Sequence, residues 1–417
     1  MKKVACALSF LLSLSSMAAQ AGVQPSGAEF HPGVCADCSK RAPAVAGAKT
    51  GESAVAWSGT SGADAQGILA RFYNKTGAVR GGQLQVNKLV PPDQDDAAVA
   101  FDPSGNTFIA WSELTEDNSE IFVQRYNTKG KALGTPIKVS VDDPAAPAIP
   151  LDVFPSIAAT PDGGFAVAWI KAVPPSDADR IPPVVMFRSF NKSAAPLINP
   201  TQLSTGLVRG LQPGVCVSSS GQAVVVWTNV DEFRPFQPNH KGVSMRRIAK
   251  TGVVTGPEAV VVAPISYEID ADVSCGANGT FVVIWHTNKV PAVDGVDILG
   301  QRYTALGRKT GAIFRVNSVA AGDQRDPAIA HDAAGNFVVV WESRGSDATG
   351  RIVGRRFKAN GTADGADFVV HAQGEDEPMP GDADVAFVGA SGDFLVVWLS
   401  GPEDVVGRRY KTTSKGH

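Results

Sequence analysis

The sequence predicts an all-β protein built from seven copies of one four-stranded antiparallel unit. Three observations carry this prediction: a repeated Gly-to-Trp phrase, the β-branched residues inside it, and the turn residues around it. The chain has 417 residues and seven tryptophans, and each Trp stands six residues after a glycine. The pairs are Gly51/Trp57, Gly105/Trp111, Gly163/Trp169, Gly221/Trp227, Gly279/Trp285, Gly335/Trp341 and Gly392/Trp398. Successive tryptophans are 54 to 58 residues apart, and such a period indicates an array of one supersecondary unit.

Each unit is predicted to begin with two strands joined by a tight hairpin. The first strand is a short apolar run before the glycine, such as residues 327–332. The second is the β-branched run that ends in Trp, such as residues 337–341. The residues between them are rich in Gly, Asp, Asn and Ser, which is typical of a hairpin loop.

The third and fourth strands complete the unit. The third run ends in Arg followed by an aromatic residue, as at Tyr303 and Tyr410, and a fourth run such as residues 313–317 follows another Gly-containing turn. Beyond the N-terminal segment, no window of eleven or more residues has helical apolar spacing. Four short strands in meander order, repeated at fixed spacing, indicate a propeller blade. We therefore predict a seven-bladed β-propeller with each Trp buried between neighbouring blades.

The two ends of the chain are predicted to meet in the last blade. The seventh unit stops after its third strand, because only seven residues follow Tyr410. The N-terminal sequence Gly-Ala-Glu-Phe at 27–30 matches Gly-Ala-Asp-Phe at 365–368, which belongs to a fourth strand. We expect residues 27–33 to supply the missing strand and to close the ring.

The chain is predicted to consist of a signal peptide, residues 1–21, and a single propeller domain, residues 22–417. Lys2 and Lys3 precede an apolar stretch over residues 4–14, and small residues before Gly22 form a cleavage site. The apolar stretch is too short to span a bilayer. We therefore expect a periplasmic or secreted protein without membrane insertion, and a monomer. The net charge of −3, with no basic stripe, argues against a nucleic-acid partner.

The four cysteines of the mature chain are predicted to form two disulfides in an oxidising compartment. Cys216 and Cys275 stand on equivalent inner strands of neighbouring units, one position out of phase, so their side chains face each other. Cys35 and Cys38 form a C-x-x-C pair that suits a local disulfide, a redox site or a metal site. No second C-x-x-C or nearby His pair completes a zinc site, so the disulfide is the simpler interpretation.

Known catalytic motifs are absent from the sequence. It has no G-x-S-x-G, P-loop or H-E-x-x-H pattern. His286 follows Trp285 at a position that carries Ser, Ile, Thr, Glu or Leu in the other units. This variability predicts an isolated histidine with satisfied hydrogen bonds.

Three aspartates share one position of the unit. Asp96, Asp270 and Asp326 each stand nine residues before the repeat glycine, and ring symmetry would bring them to one mouth of the central channel, with Asp95, Asp272 and Asp384 nearby. One interpretation is an acidic funnel that binds Ca²⁺, since this ion requires several oxygen ligands. The other is that each carboxylate caps the turn of its own strand.

The complete unit, G-[NDT]-F-[VL]-V-[VI]-W followed by G-x-R-[FY] and F-x-V-N, resembles the tandem β-propeller repeats of bacterial exported and surface proteins. This resemblance implies the fold and carries no single activity. The sequence therefore predicts an exported binding or scaffold propeller that recognises a protein or glycan through its loop face, without catalysis. The alternative is a periplasmic or secreted hydrolase or lyase with a cation-assisted site at the channel mouth, where carboxylates or His286 would act with a divalent cation. A tight cluster of Asp and His with shifted pKa values would favour the enzyme.

Overall fold

A computed structural model of the chain describes residues 23–33, 40–60, 66–87, 94–114, 118–141, 151–172, 183–205, 213–229, 242–262, 267–288, 295–345, 349–374, 377–401 and 404–412. Every regular element in these ranges is a β-strand. None of the described residues forms a helix long and apolar enough to cross a bilayer. The predicted signal peptide and the Cys35/Cys38 pair lie outside the described residues.

The strands are short and follow one another throughout the described chain. In chain order they begin with β1 Val23–Pro25, β2 Lys40–Gly47, β3 Ser53–Thr60, β4 Gln66–Tyr73, β5 Val79–Gln85, β6 Gln94–Phe101, β7 Thr107–Leu114, β8 Ser119–Tyr126, β9 Ile137–Lys138, β10 Leu151–Ala159, β11 Phe165–Ala172, β12 Val184–Phe190, β13 Thr201–Gln202 and β14 Gly214–Val217. They continue with β15 Ala223–Thr228, β16 Val243–Ile248, β17 Val254–Val262, β18 Tyr267–Cys275, β19 Phe281–Asn288, β20 Val296–Tyr303, β21 Lys309–Arg315, β22 Asp323–His331, β23 Phe337–Arg344, β24 Gly350–Phe357, β25 Phe368–Ala372, β26 Pro380–Phe387, β27 Phe394–Ser400 and β28 Val405–Thr412.

The described strands form six sheets, where seven separate sheets were predicted. Four of the sheets are four-stranded meanders in sequence order: β2–β5, β14–β17, β18–β21 and β22–β25. A fifth has the order β1-β28-β27-β26, and the sixth contains the eight strands β6 to β13. The eight-stranded sheet arises because Leu151 at the start of β10 pairs in parallel with Ser119 at the start of β8. The Ser119 hydroxyl also donates to the Asp152 carbonyl at 2.6 Å, which ties the two strands together.

The strands that open each unit lie beside one another around a central channel. The first strand of every unit contacts the first strand of the next, and β26 contacts β2, so the series returns to its beginning. These strands line a channel of about 780 Å³.

The seven tryptophans lie on the second strands and are at most 1 % exposed. Each packs against the unit before it: Trp285 lies in one cluster with Val243 and Val261, and Trp341 in another with Ile284 and Ile298. This confirms the predicted burial of the tryptophans between units. Burying so large an apolar ring removes on the order of 150–250 Å² from water, which explains why one Trp recurs in every unit.

The repeat glycine is explained by the hairpin between the first two strands. All seven repeat glycines have positive φ, between 80° and 106°, a conformation that costs other residues free energy. In the second unit Gly105 N–H donates to the Asp102 carbonyl at 3.0 Å, and the Asp102 carboxylate accepts the Ser104 and Asn106 amides, each at 2.8 Å. The Gly and Asp residues therefore form the hairpin turn that the sequence predicts.

The N-terminal segment pairs with the last strand, as predicted, although its regular strand lies slightly earlier. In β1, Val23 pairs with Thr412 and Pro25 with Tyr410. Phe30 then forms an isolated bridge with Gly407, with backbone hydrogen bonds of 2.9 and 2.8 Å in the two directions. The predicted match to a fourth strand is thus borne out at Phe30.

The predicted cross-link between neighbouring units is present. Cys216 on β14 and Cys275 on β18 form a disulfide with a Cα–Cα distance of 5.5 Å, inside the range that disulfide geometry allows. The disulfide fits a protein that folds in an oxidising compartment.

Candidate active site at the channel mouth

Six of the first strands are interrupted near their start by a β-bulge. The first residue of each bulge has positive φ; these residues are Ala42, Asp96, Phe154, Asp270, Asp326 and Asp382. Aspartate holds four of the six positions because it is among the few residues besides glycine that tolerate this conformation. All six line the channel. Because they occupy equivalent positions, their side chains lie at one end of it, the Asp mouth.

The backbone of three bulges is tied to the preceding unit, at Phe154, Asp326 and Asp382. Asp326 N–H donates to His286 Nδ1 at 3.4 Å, and Asp382 N–H donates to Glu342 Oε1 at 2.9 Å. His286 and Glu342 both directly follow a repeat Trp. The position after Trp therefore points toward the Asp mouth, and its residue decides which group meets the neighbouring bulge.

Asp270, His286 and Asp326 form a tight cluster at this mouth. One ligand atom from each of the three lies within 4.8 Å of the others. His286 Nδ1 is 3.4 Å from Asp270 Oδ2 and 3.9 Å from Asp326 Oδ1. The imidazole is only 3 % exposed, whereas the two carboxylates are 32 % and 42 % exposed and face the channel. The cluster thus joins a buried nitrogen base to two accessible oxygen groups.

The cluster changes the protonation of its members. Enclosure by protein raises the pKa of Asp270, and the hydrogen bond to Asp326 and its charge raise it further. Burial lowers the pKa of His286 despite the opposing charge of Asp326. Like charges this close cannot both remain ionised without compensation. In the isolated protein, the carboxyl pair therefore retains a proton while the imidazole stays neutral.

Glu342 lies next to the cluster and also has an altered pKa. Burial raises the pKa of this side chain to about 7, and the charge of Asp326 adds to the effect. Its Oε2 is 3.9 Å from Arg344. A carboxyl group that titrates near neutral pH is suited to proton transfer.

Asp96 lies outside this cluster, although the sequence grouped it with Asp270 and Asp326. Its Oδ2 accepts the Ser112 hydroxyl at 3.1 Å and Phe154 N–H at 3.3 Å. Asp96 therefore fits the capping interpretation, with the difference that it caps the bulge of the next unit. Among the described residues, His286 takes the third place in the cluster.

Asp272 and Asp384 have structural roles two residues beyond the bulge. Asp272 accepts Ile329 N–H of the next unit at 3.0 Å, and Asp384 accepts Val45 N–H at 2.8 Å. Each also accepts the following amide of its own strand at 2.7 Å. These bonds hold neighbouring first strands together around the channel.

The prediction that His286 is an isolated, satisfied histidine is wrong. No described residue is hydrogen-bonded to its Nε2, and Nδ1 faces two carboxylates. The signal was available in the sequence, because His286 follows Trp285 directly and alternation then places it toward the next unit's bulge. Variability at that position lets each unit present a different group to the neighbouring bulge, such as His286 in one unit and Glu342 in the next.

The sequence matches no protein-family profile and no curated protein. Solved structures match its fold. An ulvan lyase, a polysaccharide lyase, has a TM-score of 0.58 at 10 % identity, with 93 % of this chain and 98 % of that chain covered. A protein of unknown function from Dyadobacter fermentans has a TM-score of 0.54 at 11 % identity, with 94 % and 100 % covered. An α-L-arabinofuranosidase from Fusarium graminearum has a TM-score of 0.48 at 11 % identity, with 76 % and 92 % covered.

The prediction of a binding or scaffold protein without catalysis is corrected by these findings. The regular repeat that motivated it is compatible with catalysis, since the similar solved structures include an ulvan lyase. At such low identity the likeness concerns the fold alone. A tight cluster of Asp and His with shifted pKa values was the criterion that would favour an enzyme. Asp270, His286 and Asp326 form such a cluster.

Proposed function

We propose that the chain is an exported glycan-cleaving enzyme, a lyase or hydrolase, whose reaction takes place at the Asp mouth. The observation that carries the proposal is the cluster of Asp270, His286 and Asp326, which opens into the channel. A concave site with convergent polar groups and perturbed pKa values is the usual form of an active site. The channel volume of about 780 Å³ lies within the range of small-molecule sites, about 300–1,000 Å³.

We also propose that the fold is the seven-bladed ring that the sequence predicts. We count β6–β9 and β10–β13 as two blades, because the single pair Leu151–Ser119 joins them. The ring then has seven blades, closed by the pairing of β1 with β28. Residues 1–21 are proposed to be removed on export, which would leave β1 at the start of the mature chain.

The spacing of the carboxyl groups bears on the type of reaction. Glycoside hydrolases of the common kind separate their two carboxyl groups by about 5–9.5 Å, to leave room for the sugar or for water. Asp270 and Asp326 instead share a hydrogen bond. The pair therefore acts as one unit, and Glu342 beside it is the proposed proton-transfer group. This arrangement fits elimination better than hydrolysis by two separated carboxylates.

Product analysis on a panel of polysaccharides tests the proposal. Ulvan and other uronate-containing polymers are the first substrates, followed by neutral arabinans and xylans. A lyase produces a new conjugated double bond that absorbs ultraviolet light, whereas a hydrolase produces new reducing ends without this absorbance. We expect cleavage of at least one acidic polymer, with the absorbance of an elimination product.

Matched variants locate the reaction. Glu342→Gln and Asp270→Asn should lower kcat at least about a hundredfold, in the range of a lost acid–base group. Asp364→Asn, in which the substituted carboxylate contacts Arg356 at 3.6 Å outside the cluster, should retain wild-type activity. Absence of cleavage on the whole panel, or equal losses in all three variants, would reject the Asp mouth as the active site.

A further inference from the structure

The ligand atoms of the Asp270–His286–Asp326 cluster lie at separations that suit a shared metal ion. First-row ions and zinc bind nitrogen and oxygen at about 2.0–2.2 Å, so neighbouring ligands around one ion stand roughly 3–3.5 Å apart. The distances from His286 Nδ1 to the two carboxylates are 3.4 and 3.9 Å. Small rotations of the partly exposed carboxylates would bring all three atoms onto one ion.

His286 provides a second, independent observation. The ring is only 3 % exposed, and Nε2 has no hydrogen-bond partner in the part of the chain that the structure describes. The one hydrogen bond of Nδ1 is the long contact of 3.4 Å from Asp326 N–H. Buried polar groups are nearly always satisfied. The imidazole of His286 has few hydrogen bonds to protein, and its Nδ1 is directed at two carboxylates. This is the position of a metal ligand.

The backbone holds the ligands independently of one another. Asp270 and Asp326 sit at bulges with φ of 52° and 49°, on the first strands of two neighbouring units. His286 lies on the second strand of the Asp270 unit, directly after a buried Trp. Because three rigid strand positions converge, the site needs no loop to assemble it.

We propose that Asp270, Asp326 and His286 bind one divalent ion of the Mn²⁺ or Zn²⁺ class, with its remaining coordination positions open to the channel. The proposal rests on the proposed function, because such an ion would polarise a substrate oxygen or a bound water at the same mouth. The nitrogen ligand selects this class over Ca²⁺, which takes six to eight oxygen ligands. The ligand set differs from the predicted calcium set in that His286 replaces Asp96.

Metal binding to the full mature protein tests the proposal without reference to activity. Chelator-treated protein is titrated with Mn²⁺ and followed by electron paramagnetic resonance and calorimetry, and Zn²⁺ and Ca²⁺ then compete. We expect one Mn²⁺ per chain, displaced by Zn²⁺ and at least tenfold less effectively by Ca²⁺. No binding, or a preference for Ca²⁺, would overturn the assignment.

Variants identify the ligands. His286→Ala and Asp270→Asn should each weaken Mn²⁺ binding at least tenfold, while Asp96→Asn should leave it unchanged. Circular dichroism and melting temperature show whether each variant is folded, and Asp326→Asn replaces any variant that is not. Unchanged binding in His286→Ala, or loss in Asp96→Asn, contradicts the ligand set.

The two proposals fail in different ways. Glycan cleavage by a protein that binds no Mn²⁺ would overturn the metal centre and leave the enzyme standing. One tightly bound Mn²⁺ in a protein that cleaves no polysaccharide would support the metal centre and reject the glycan-cleaving function.

Discussion

At the scale of single residues, Asp384 combines a structural bond with a cost in electrostatic free energy. Its carboxylate accepts two amides, one from the next unit, while the surrounding protein raises its pKa to about 7. In the unfolded chain the same group titrates near 3.8. Between about pH 4 and 7 the folded chain therefore holds a proton that the unfolded chain has lost. Linkage then requires this contribution to stability to fall as the pH rises through that window.

Chemical denaturation between pH 4 and 8 checks this prediction. The asparagine in Asp384→Asn does not titrate, so the unfolding free energy of this variant should decline less steeply with pH than that of wild type. The two slopes should differ by at most about 1.4 kcal/mol per pH unit. Asp272 and Asp96, whose pKa values are raised to about 6, keep a residual slope in the variant. Asp364→Asn serves as the control and should keep the full slope. Equal slopes in Asp384→Asn and wild type would show that the carboxylate is not perturbed.

Sequence reasoning found some site residues and missed others for a physical reason. Asp270 and Asp326 were found because they share a position of the repeat, and symmetry places equal positions at one end of the channel. Glu342 was missed because it breaks the repeat, and His286, named only as a group of the alternative enzyme, was set aside for the same reason. Their importance depends on which group lies across the interface between units, and the sequence does not show that distance.

At the scale of elements, a glycine on the third strand is covered by an aromatic ring from the fourth. A Cβ built on Gly354 would lie 2.5 Å from Phe368, and one on Gly300 would lie 2.7 Å from Phe314. The N-terminal segment repeats the pattern, since a Cβ on Gly407 would lie 2.5 Å from Phe30. The glycine of the G-x-R-aromatic motif thus leaves room for the ring. Phe30 takes this place in the last sheet although it is far away in the chain.

A double-mutant cycle at this contact tests the closure of the last sheet. Gly407→Ala should destabilise the protein by about 1–3 kcal/mol, because the added methyl displaces the ring. Phe30→Ala should also destabilise it, since Phe30 packs edge-on against Tyr73 of the first unit at 5.1 Å. In the double variant the methyl meets no ring, so the combined loss should be smaller than the sum.

Urea denaturation of the four proteins measures the coupling. Gly82→Ala is the control, because a Cβ there would meet no atom of the described residues within 4 Å, and its effect should stay within about 0.5 kcal/mol. Strict additivity of Gly407→Ala and Phe30→Ala would mean that the N-terminal segment does not occupy this position in solution.

The elements themselves could be predicted largely because their signals are local. The Gly-rich hairpins, the β-branched second strands and the aromatic after Arg each report on a few neighbouring residues. The parallel pair Leu151–Ser119, which merges two units into one sheet, has no such signal. It depends on how closely two units approach, and a single bridge is too small a feature to leave a pattern.

At the scale of the whole molecule, the chain is held by contacts between units and by two long-range ties. One tie is the pairing of β1 with β28, and the other is the disulfide between Cys216 and Cys275. The disulfide lies between the fourth and fifth units, far in sequence from the junction of the chain ends. Loss of either tie leaves the other in place, so we expect partial loss of stability and no loss of fold.

The disulfide prediction can be made quantitative because the loop is long. Its cysteines are 59 residues apart, and the loss of loop entropy in the unfolded chain corresponds to about 4 kcal/mol. Replacing both cysteines by serine should lower the unfolding free energy by an amount of this order. Reductant should destabilise wild type similarly in urea denaturation. Any reductant effect that persists in the double variant reports on Cys35 and Cys38 instead. If reductant leaves wild type unchanged while mass spectrometry shows free thiols at Cys216 and Cys275, the cross-link does not stabilise the fold, and the packing of the tryptophans between units must suffice to hold it.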